Sequence, residues 1–319
     1  MLEKMVIRPI RKKDFDQLFE LVGKSFRKEI QITGLDLQRL SRIAKLYDLI
    51  EMLLPVLAVF RRDSETILVA VSGNRVIGEI HVVPHGKRIW SLDSSAVDVT
   101  FRRRGVFKEL MKKSLKYIYK RNGERITTSL WADNVASIKM TKRLGFKIFE
   151  KEILLQFKAN GIPTVEFDEN VLVRAIRRDD VERVFEICEI LSPKKMQVYK
   201  STPDDFLDSL FTRVMSRITW SCSKKWVLEI QGKIMGYVHI TYVPQQAAGK
   251  IESFYVLPSD KFSKLTNGLL SKVLEFLATR NVKRVTTGLN EEWKETIQMF
   301  KRFGFEPVAS VYEMIKEPV

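Results

Sequence analysis

A chain of 319 residues is about twice the length of an ordinary domain, and its 45% hydrophobic content is enough to fill two cores. The formal charge of +16 is lopsided: residues 1–160 hold 32 Lys and Arg against 18 Asp and Glu, whereas residues 161–319 hold 23 against 21. Two cysteines far apart, Cys188 and Cys222, exclude a disulfide framework or a Cys-x-x-Cys zinc site and predict a reducing compartment.

The N-terminal segment MLEKMVIRPIRKKDFDQ is too charged for a signal peptide, and from residue 6 it reads as a short strand running into an amphipathic helix. Residues 28–55 read as an irregular helical stretch carrying Asp36, Asp48 and Glu51. The longest apolar run, 49–60, is interrupted by Glu51 and Pro55 and is too short to span a bilayer, so a soluble, cytoplasmic protein without membrane association is expected. A meander of three strands follows at ETILVAV, RVIGEIHVV and IWSLDSSAVDV. The chain then turns at TFRRRG and continues as a basic helix, FKELMKKSLKYIYKR. RITTSLW, a helix from Asn134 and KIFEKEILLQF close the first half. KANGIPTVEFDEN, residues 158–170, has sparse apolar content and reads as a linker, which sets expected domains at 1–160 and 171–319 with the linker at 161–170.

The second half repeats the first. VIRPIRKKDFDQLFELV at 6–22 returns as LVRAIRRDDVERVFEIC at 172–188, pairing Arg8, Asp14 and Phe19 with Arg174, Asp180 and Phe185. ERITTSLWADNVASIKMTKRLGF at 124–146 returns as KRVTTGLNEEWKETIQMFKRFGF at 283–305, and VIGEIHV at 76–82 as IMGYVHI at 234–240. Three matches in one order imply two copies of a single fold.

The junction at 97–107 is where a ligand is expected. A helix start presents unpaired N–H groups and the positive end of the helix dipole, which favours a phosphate. Arg102, Arg103 and Arg104 add charge there, and Gly105 lets the backbone approach closely. The spacing Arg102-x-x-Gly105-x-Phe107, followed by Asn134 opening a helix that ends at Gly145-Phe146, resembles the acetyl-CoA site of the GNAT N-acetyltransferases. The resemblance implies an α/β (α+β) fold of two tandem GNAT-like domains, each a mixed, mostly antiparallel sheet flanked by helices. It also implies acetyl-CoA as co-substrate with no metal, held by Val97, Asp98, Val99, Arg102, Arg103, Arg104, Gly105, Val106, Phe107, Asn134 and Ser137. Two positions depart from the family pattern. Phe107 stands where Gly or Ala is usual, and Thr141 stands where many members carry a Tyr that protonates the departing thiolate. In the second copy LPSDKFS replaces the cradle, with Phe262 at the Gly105 position and Trp293 at the Asn134 position, so one acetyl-CoA site is expected, in the N-terminal half.

Acetyl transfer to an amine needs a base, a polarised thioester carbonyl and a proton for the thiolate. In this fold the carbonyl is polarised by a backbone N–H where the fourth strand splays from the fifth, expected near Val97 to Val99. Strand alternation places Ser91, Asp93, Ser95, Val97 and Val99 on one face and Asp98 on the other. Asp93 lies near the position of the family's carboxylate base, with Glu79 and His81 on the neighbouring strand as alternatives or relays; each also has an ordinary structural reading. Tyr117, Tyr119, Tyr47 or water is left to protonate the thiolate, and Asp36, Asp48 and Glu51 either receive a cationic amine or form solvated helix faces. The expected partner is an amine-bearing small molecule or protein. Lys108, Lys112, Lys116, Lys120 and Arg121, at helical spacing, raise nucleic acid as a third possibility behind an acyl-CoA-binding regulator, because no aromatic-basic interleaving accompanies them.

Overall fold

A computed structural model describes residues 5–33, 66–85, 88–158, 171–199, 203–206 and 222–317. Asp36, Tyr47, Asp48 and Glu51, and the expected linker at 161–170, lie outside the described residues. The chain divides into two compact units. Unit 1 comprises Met1–Gln31, Asp36–Phe149 and Tyr312–Val319, and unit 2 comprises Ile32–Leu35 and Glu150–Val311.

In chain order, unit 1 contains β1 (Val6–Pro9), α1 (Phe15–Ser25), α2 (Arg27–Thr33, whose end belongs to unit 2), β2 (Thr66–Ser72), β3 (Arg75–Pro84) and β4 (Ile89–Val97). It continues with α3 (Val106–Tyr119), β5 (Arg125–Trp131), α4 (Val135–Arg143) and the start of β6 (Lys147–Lys158). β1 to β4 form an antiparallel meander, and β5 joins β4 in parallel because a helical crossover, α3, connects them. The next strand beside β5 comes from the end of the chain.

Unit 2 repeats the order with most of β6, then β7 (Val171–Ala175), α5 (Val181–Leu191), α6 (Pro193–Tyr199), β8 (Cys222–Ile230), β9 (Lys233–Val243) and β10 (Ala248–Val256). α7 (Phe262–Thr279), β11 (Arg284–Asn290), α8 (Lys294–Arg302) and β12 (Phe305–Lys316) complete it, the last residues of β12 passing to unit 1. Here β11 pairs antiparallel with β6, from Arg284↔Lys158 to Asn290↔Glu152. Each unit is therefore closed by a strand from the other sequence repeat: Met314 is fully buried in the core of unit 1, and Leu155 and Phe157 are buried in the core of unit 2.

The repeated Arg and Asp at the start of each copy have one physical job. Arg8 grips Asp14 through both nitrogens, at 2.5 and 3.0 Å, while Asp14 also accepts the Arg11 N–H at 2.8 Å. Arg174 and Asp180 do the same at 2.6 and 2.8 Å, with the Arg177 N–H at 2.6 Å. The carboxylate thereby fixes the corner between the first strand and helix, and a forked guanidinium suits it better than a lysine would. α3 buries Val106, Leu110, Met111, Leu115 and Ile118 and leaves Lys108, Lys112, Lys116 and Lys120 exposed. Its apolar stripe covers Ile77, Ile80, Val82, Trp90 and Ile126 on one face of the sheet, while Leu21 of α1 covers Val69, Val71, Val76 and Ala96 on the other.

Candidate active site

The parallel ladder between β4 and β5 runs from Ile89↔Arg125 to Leu92↔Thr128 and ends there, although β4 continues to Val97 and β5 to Trp131. Thr127 and Thr128 brace the junction by donating side-chain bonds to the Trp90 and Leu92 carbonyls, at 3.4 and 2.9 Å. Beyond it β4 turns a backbone edge to a gap that β5 no longer fills. Asp93 sits at the fork. Its neighbours pair in shifted register, Leu92 with Val82 and Ser94 with His81, so Asp93 is the extra residue of a β-bulge and is exposed. The divergence thus begins before Val97. Past that point Asp98 donates its N–H to the Ile77 carbonyl at 2.9 Å, and the Val97 carbonyl accepts from Arg102 Nε at 3.1 Å.

Between β4 and α3 the chain makes a tight turn. Asp98 caps it by accepting from Thr100 N at 2.9 Å and Thr100 Oγ1 at 2.7 Å, and it pairs with Arg75 at 2.5 Å. Val99 is 71% exposed. Arg103 and Gly105 both adopt left-handed backbone, at φ 62° and 83°. A Cβ on Gly105 would meet nothing within 4 Å, so glycine is required there for conformation and for an unobstructed approach, not for lack of room. Arg102, Arg103 and Arg104 are all exposed around this point. Val106 is buried at the first helical position and anchors α3, leaving the first-turn N–H groups as its open end. Phe107, the departure from the family pattern, is partly buried and packs against the core beneath α3.

Across the gap, Asn134 caps α4 by accepting from Ser137 N at 3.2 Å. Thr141 is fully buried and its hydroxyl has no partner, so it faces the interior. Tyr117 stands edge-on to Trp90 and lies under Arg121 at 3.7 Å, a structural placement. Between α1 and the turn lies a cavity of about 680 Å³ lined by Glu20, Lys24, Arg75, Asp98 and Arg102. Among the described residues no cluster of His, Cys, Asp and Glu is placed to hold a metal.

The two candidate carboxylates differ sharply. Glu79 is 1% exposed; its Oε2 accepts from Ser94 at 3.3 Å and its Oε1 has no partner. Burial pushes its pKa up to about 7, against the opposing pull of His81 and the bonds from Ser94 and the Ala96 backbone. Asp93 accepts from the Ser91 hydroxyl, which in turn lies 2.7 Å from His85 Nε2. With the serine proton directed at Asp93, the imidazole N–H is the donor to Ser91. Burial holds the His85 pKa below its ordinary value although Asp93 pulls it up. Sequence reading singled out Ser91 and Asp93 but missed His85, which only the β3–β4 hairpin brings into line with them. Another missed contact is Lys28, which pairs with Asp133 at 2.8 Å and lies 5.0 Å above the Trp131 ring, tying α2 to the residues preceding Asn134.

A sequence model of the acetyltransferase (GNAT) family matches residues 16–146 and again 186–305. Among solved structures, the chain is similar to a GCN5-related N-acetyltransferase from Sphaerobacter thermophilus (TM-score 0.67, 13% identity, covering 98% of this chain and 95% of that one). It is similar also to a tandem GNAT protein from the clavulanic acid biosynthesis pathway (TM-score 0.65, 16% identity, 99% and 100% covered). No curated protein sequence matches the chain.

Proposed function

From the premise that this chain belongs to the GNAT acetyltransferase family, carrying two family regions in tandem, we propose that unit 1 holds acetyl-CoA and transfers its acetyl group to an amine by direct attack. The observation that carries this reading is the left-handed turn at Gly105, opening onto the start of α3 beside the point where β4 and β5 part. The residues fit the ligand: unpaired first-turn N–H groups and three exposed arginines suit a pyrophosphate, and the strand fork suits an extended arm. Bound acetyl-CoA supplies the activated thioester. The backbone edge of β4 from Asp93 to Val97 polarises its carbonyl, Asn134 and Ser137 line the far side, and Asp93 takes the proton of the attacking amine.

Asp93 is preferred to Glu79 as the base because it is exposed at the fork, whereas Glu79 has no surface from which to meet a substrate. Glu79 instead holds Ser94, the residue after the bulge, and acts as a positioning residue. Thr141 faces inward and Tyr117 is engaged elsewhere, which leaves Tyr119, Tyr47 or water to protonate the thiolate. The same inward Thr141 favours a second reading, a catalytically weak acyl-CoA-binding regulator.

Calorimetric titration of acetyl-CoA into the full chain, with Gly105→Asp as control, tests the proposal. One saturable site lost in the variant supports it, and thiol release with amine acceptors then separates enzyme from regulator. Undiminished affinity in Gly105→Asp refutes the cradle.

A further inference from the structure

In unit 2 the parallel ladder between β10 and β11 also stops early, at Ile251↔Thr287, and the register again shifts by one residue, at Glu252. The strands part as β4 and β5 do, but the chemistry around the fork has changed. Glu252 is occupied by Lys250 at 2.5 Å and by Thr241 at 2.8 Å, and the fully buried Tyr237 stands at the position of Glu79. Among the described residues no carboxylate at this fork is left unpaired to act as a base.

What remains is a cavity of about 360 Å³, within the size range of small-molecule sites. Phe254, Tyr255, Val256, Phe262 and Trp293 form its walls, and Trp293 stands edge-on to Tyr255 at 5.6 Å and 71°. Rings held in that geometry offer both faces and edges to a further ring. Thr266 of α7 also lines the cavity. It has no solvent exposure, and its hydroxyl has no hydrogen-bond partner within the protein. A buried hydroxyl without a partner is costly, and one that borders a cavity is answered by whatever fills that cavity. Phosphate is disfavoured at the mouth, where Phe262 replaces the left-handed glycine and Asp260, Glu292 and Glu295 place carboxylates nearby.

We propose that unit 2 holds a second small-molecule site, a slot for a flat aromatic molecule that carries one hydrogen-bonding group and no phosphate. Thr266 pairs with that group and the aromatic lining of the slot holds the flat body. The site is separate from acetyl-CoA binding and does not depend on it.

Calorimetric titration of indole and of 1-methylindole into the full chain tests this, because the two probes differ in the N–H that would reach Thr266. Indole is expected to saturate one site and to bind about fivefold more tightly than 1-methylindole, the value of an ordinary hydrogen bond. Thr266→Val should erase that difference, and Ser259→Trp, a substitution at an exposed position on the rim, should abolish both titrations. Gly105→Asp should leave indole binding unchanged, whatever it does to acetyl-CoA. Absence of saturable indole binding, a preference for indole that survives in Thr266→Val, or displacement of indole by coenzyme A in Gly105→Asp would each overturn the proposal.

Discussion

Replacing Glu79 by Gln isolates the energetic consequence of a carboxylate buried at the centre of unit 1. Its register neighbours, Val69 on β2 and Ala96 on β4, belong to the apolar cluster beneath α1, and one of its oxygens has no partner. Raising the carboxyl from 4.5 to about 7 means that the folded chain keeps a proton there which the unfolded chain has already released. The sign follows: between those two values the folded state binds more protons, so stability falls as pH rises through the window and is level above it. At about 1.4 kcal/mol per tenfold change, the full penalty above pH 7 is of order 3 kcal/mol. Glu79→Gln, uncharged at every pH, should match the parent within about 1 kcal/mol at pH 5 and exceed it by about 2–3 kcal/mol at pH 8.5. For a unit of this size that is roughly a 5–10 °C difference in melting temperature. Thermal melts of both chains from pH 5 to 9 provide the measurement. Parallel curves for parent and variant across that range would show that Glu79 is solvated or paired in a way that its burial does not suggest.

Asp14→Asn probes the opposite end of the pH scale. The bond from Arg8, together with the Arg11 N–H, outweighs burial and holds the Asp14 carboxyl below its ordinary 3.8, so its contribution is present above that value and lost as pH falls through the lower folded one. Removing the charge should cost about 2 kcal/mol at pH 7, between the values for exposed and buried pairs, and almost nothing in strong acid; a constant deficit at all pH values in denaturant melts would argue against the linkage. Asp93→Asn should lower kcat by roughly 10²–10⁴ with acetyl-CoA affinity within about twofold, and unchanged turnover with a good amine acceptor would remove Asp93 as the base. Met314→Ala should destabilise unit 1 by about 2–5 kcal/mol, read as a lower melting temperature that acetyl-CoA partly restores. A loss confined to unit 2 in hydrogen exchange would contradict the placement of Met314.

Much of this architecture is legible in the sequence because it rests on short-range rules. The repeated Arg8 and Asp14, with Arg174 and Asp180, mark the strand-to-helix corner, and the run from Arg102 to Val106 marks the turn into α3. The α3 periodicity separates its buried stripe from its lysines. Features that depend on register are not legible. Counting alternate residues puts Ser91, Asp93 and Ser95 on one face, but the bulge inserts Asp93 as an extra residue, so that Ser94 bonds to Glu79 while Asp93 turns outward. His85 reaches Ser91 only through the hairpin, and nothing in the local sequence signals it. The closing strands are ambiguous for a related reason: β6 and β12 are copies of one element, and their alternation cannot say which sheet each completes.

The exchanged strand gives a second copy without the cradle a structural role. The last strand in the sheet of unit 1 lies in sequence at the far end of the degenerate repeat, where Glu313 accepts from Ser129 at 2.9 Å and Glu317 faces Arg125 at 3.6 Å. The Lys316 side chain of this strand reaches to Gly145, which ends α4, its Nζ lying 2.7 Å from where a Cβ would stand. A fully buried Met314 in the same strand contributes to the core on which α3, and with it the Gly105 turn, is seated. Unit 1 therefore depends on the second repeat through Tyr312–Glu317, whatever that repeat itself binds. Deleting the second repeat would remove a strand from unit 1, the unit with the site proposed for acetyl-CoA, so truncation at the repeat boundary should destabilise that unit although the proposed cradle lies in the first repeat.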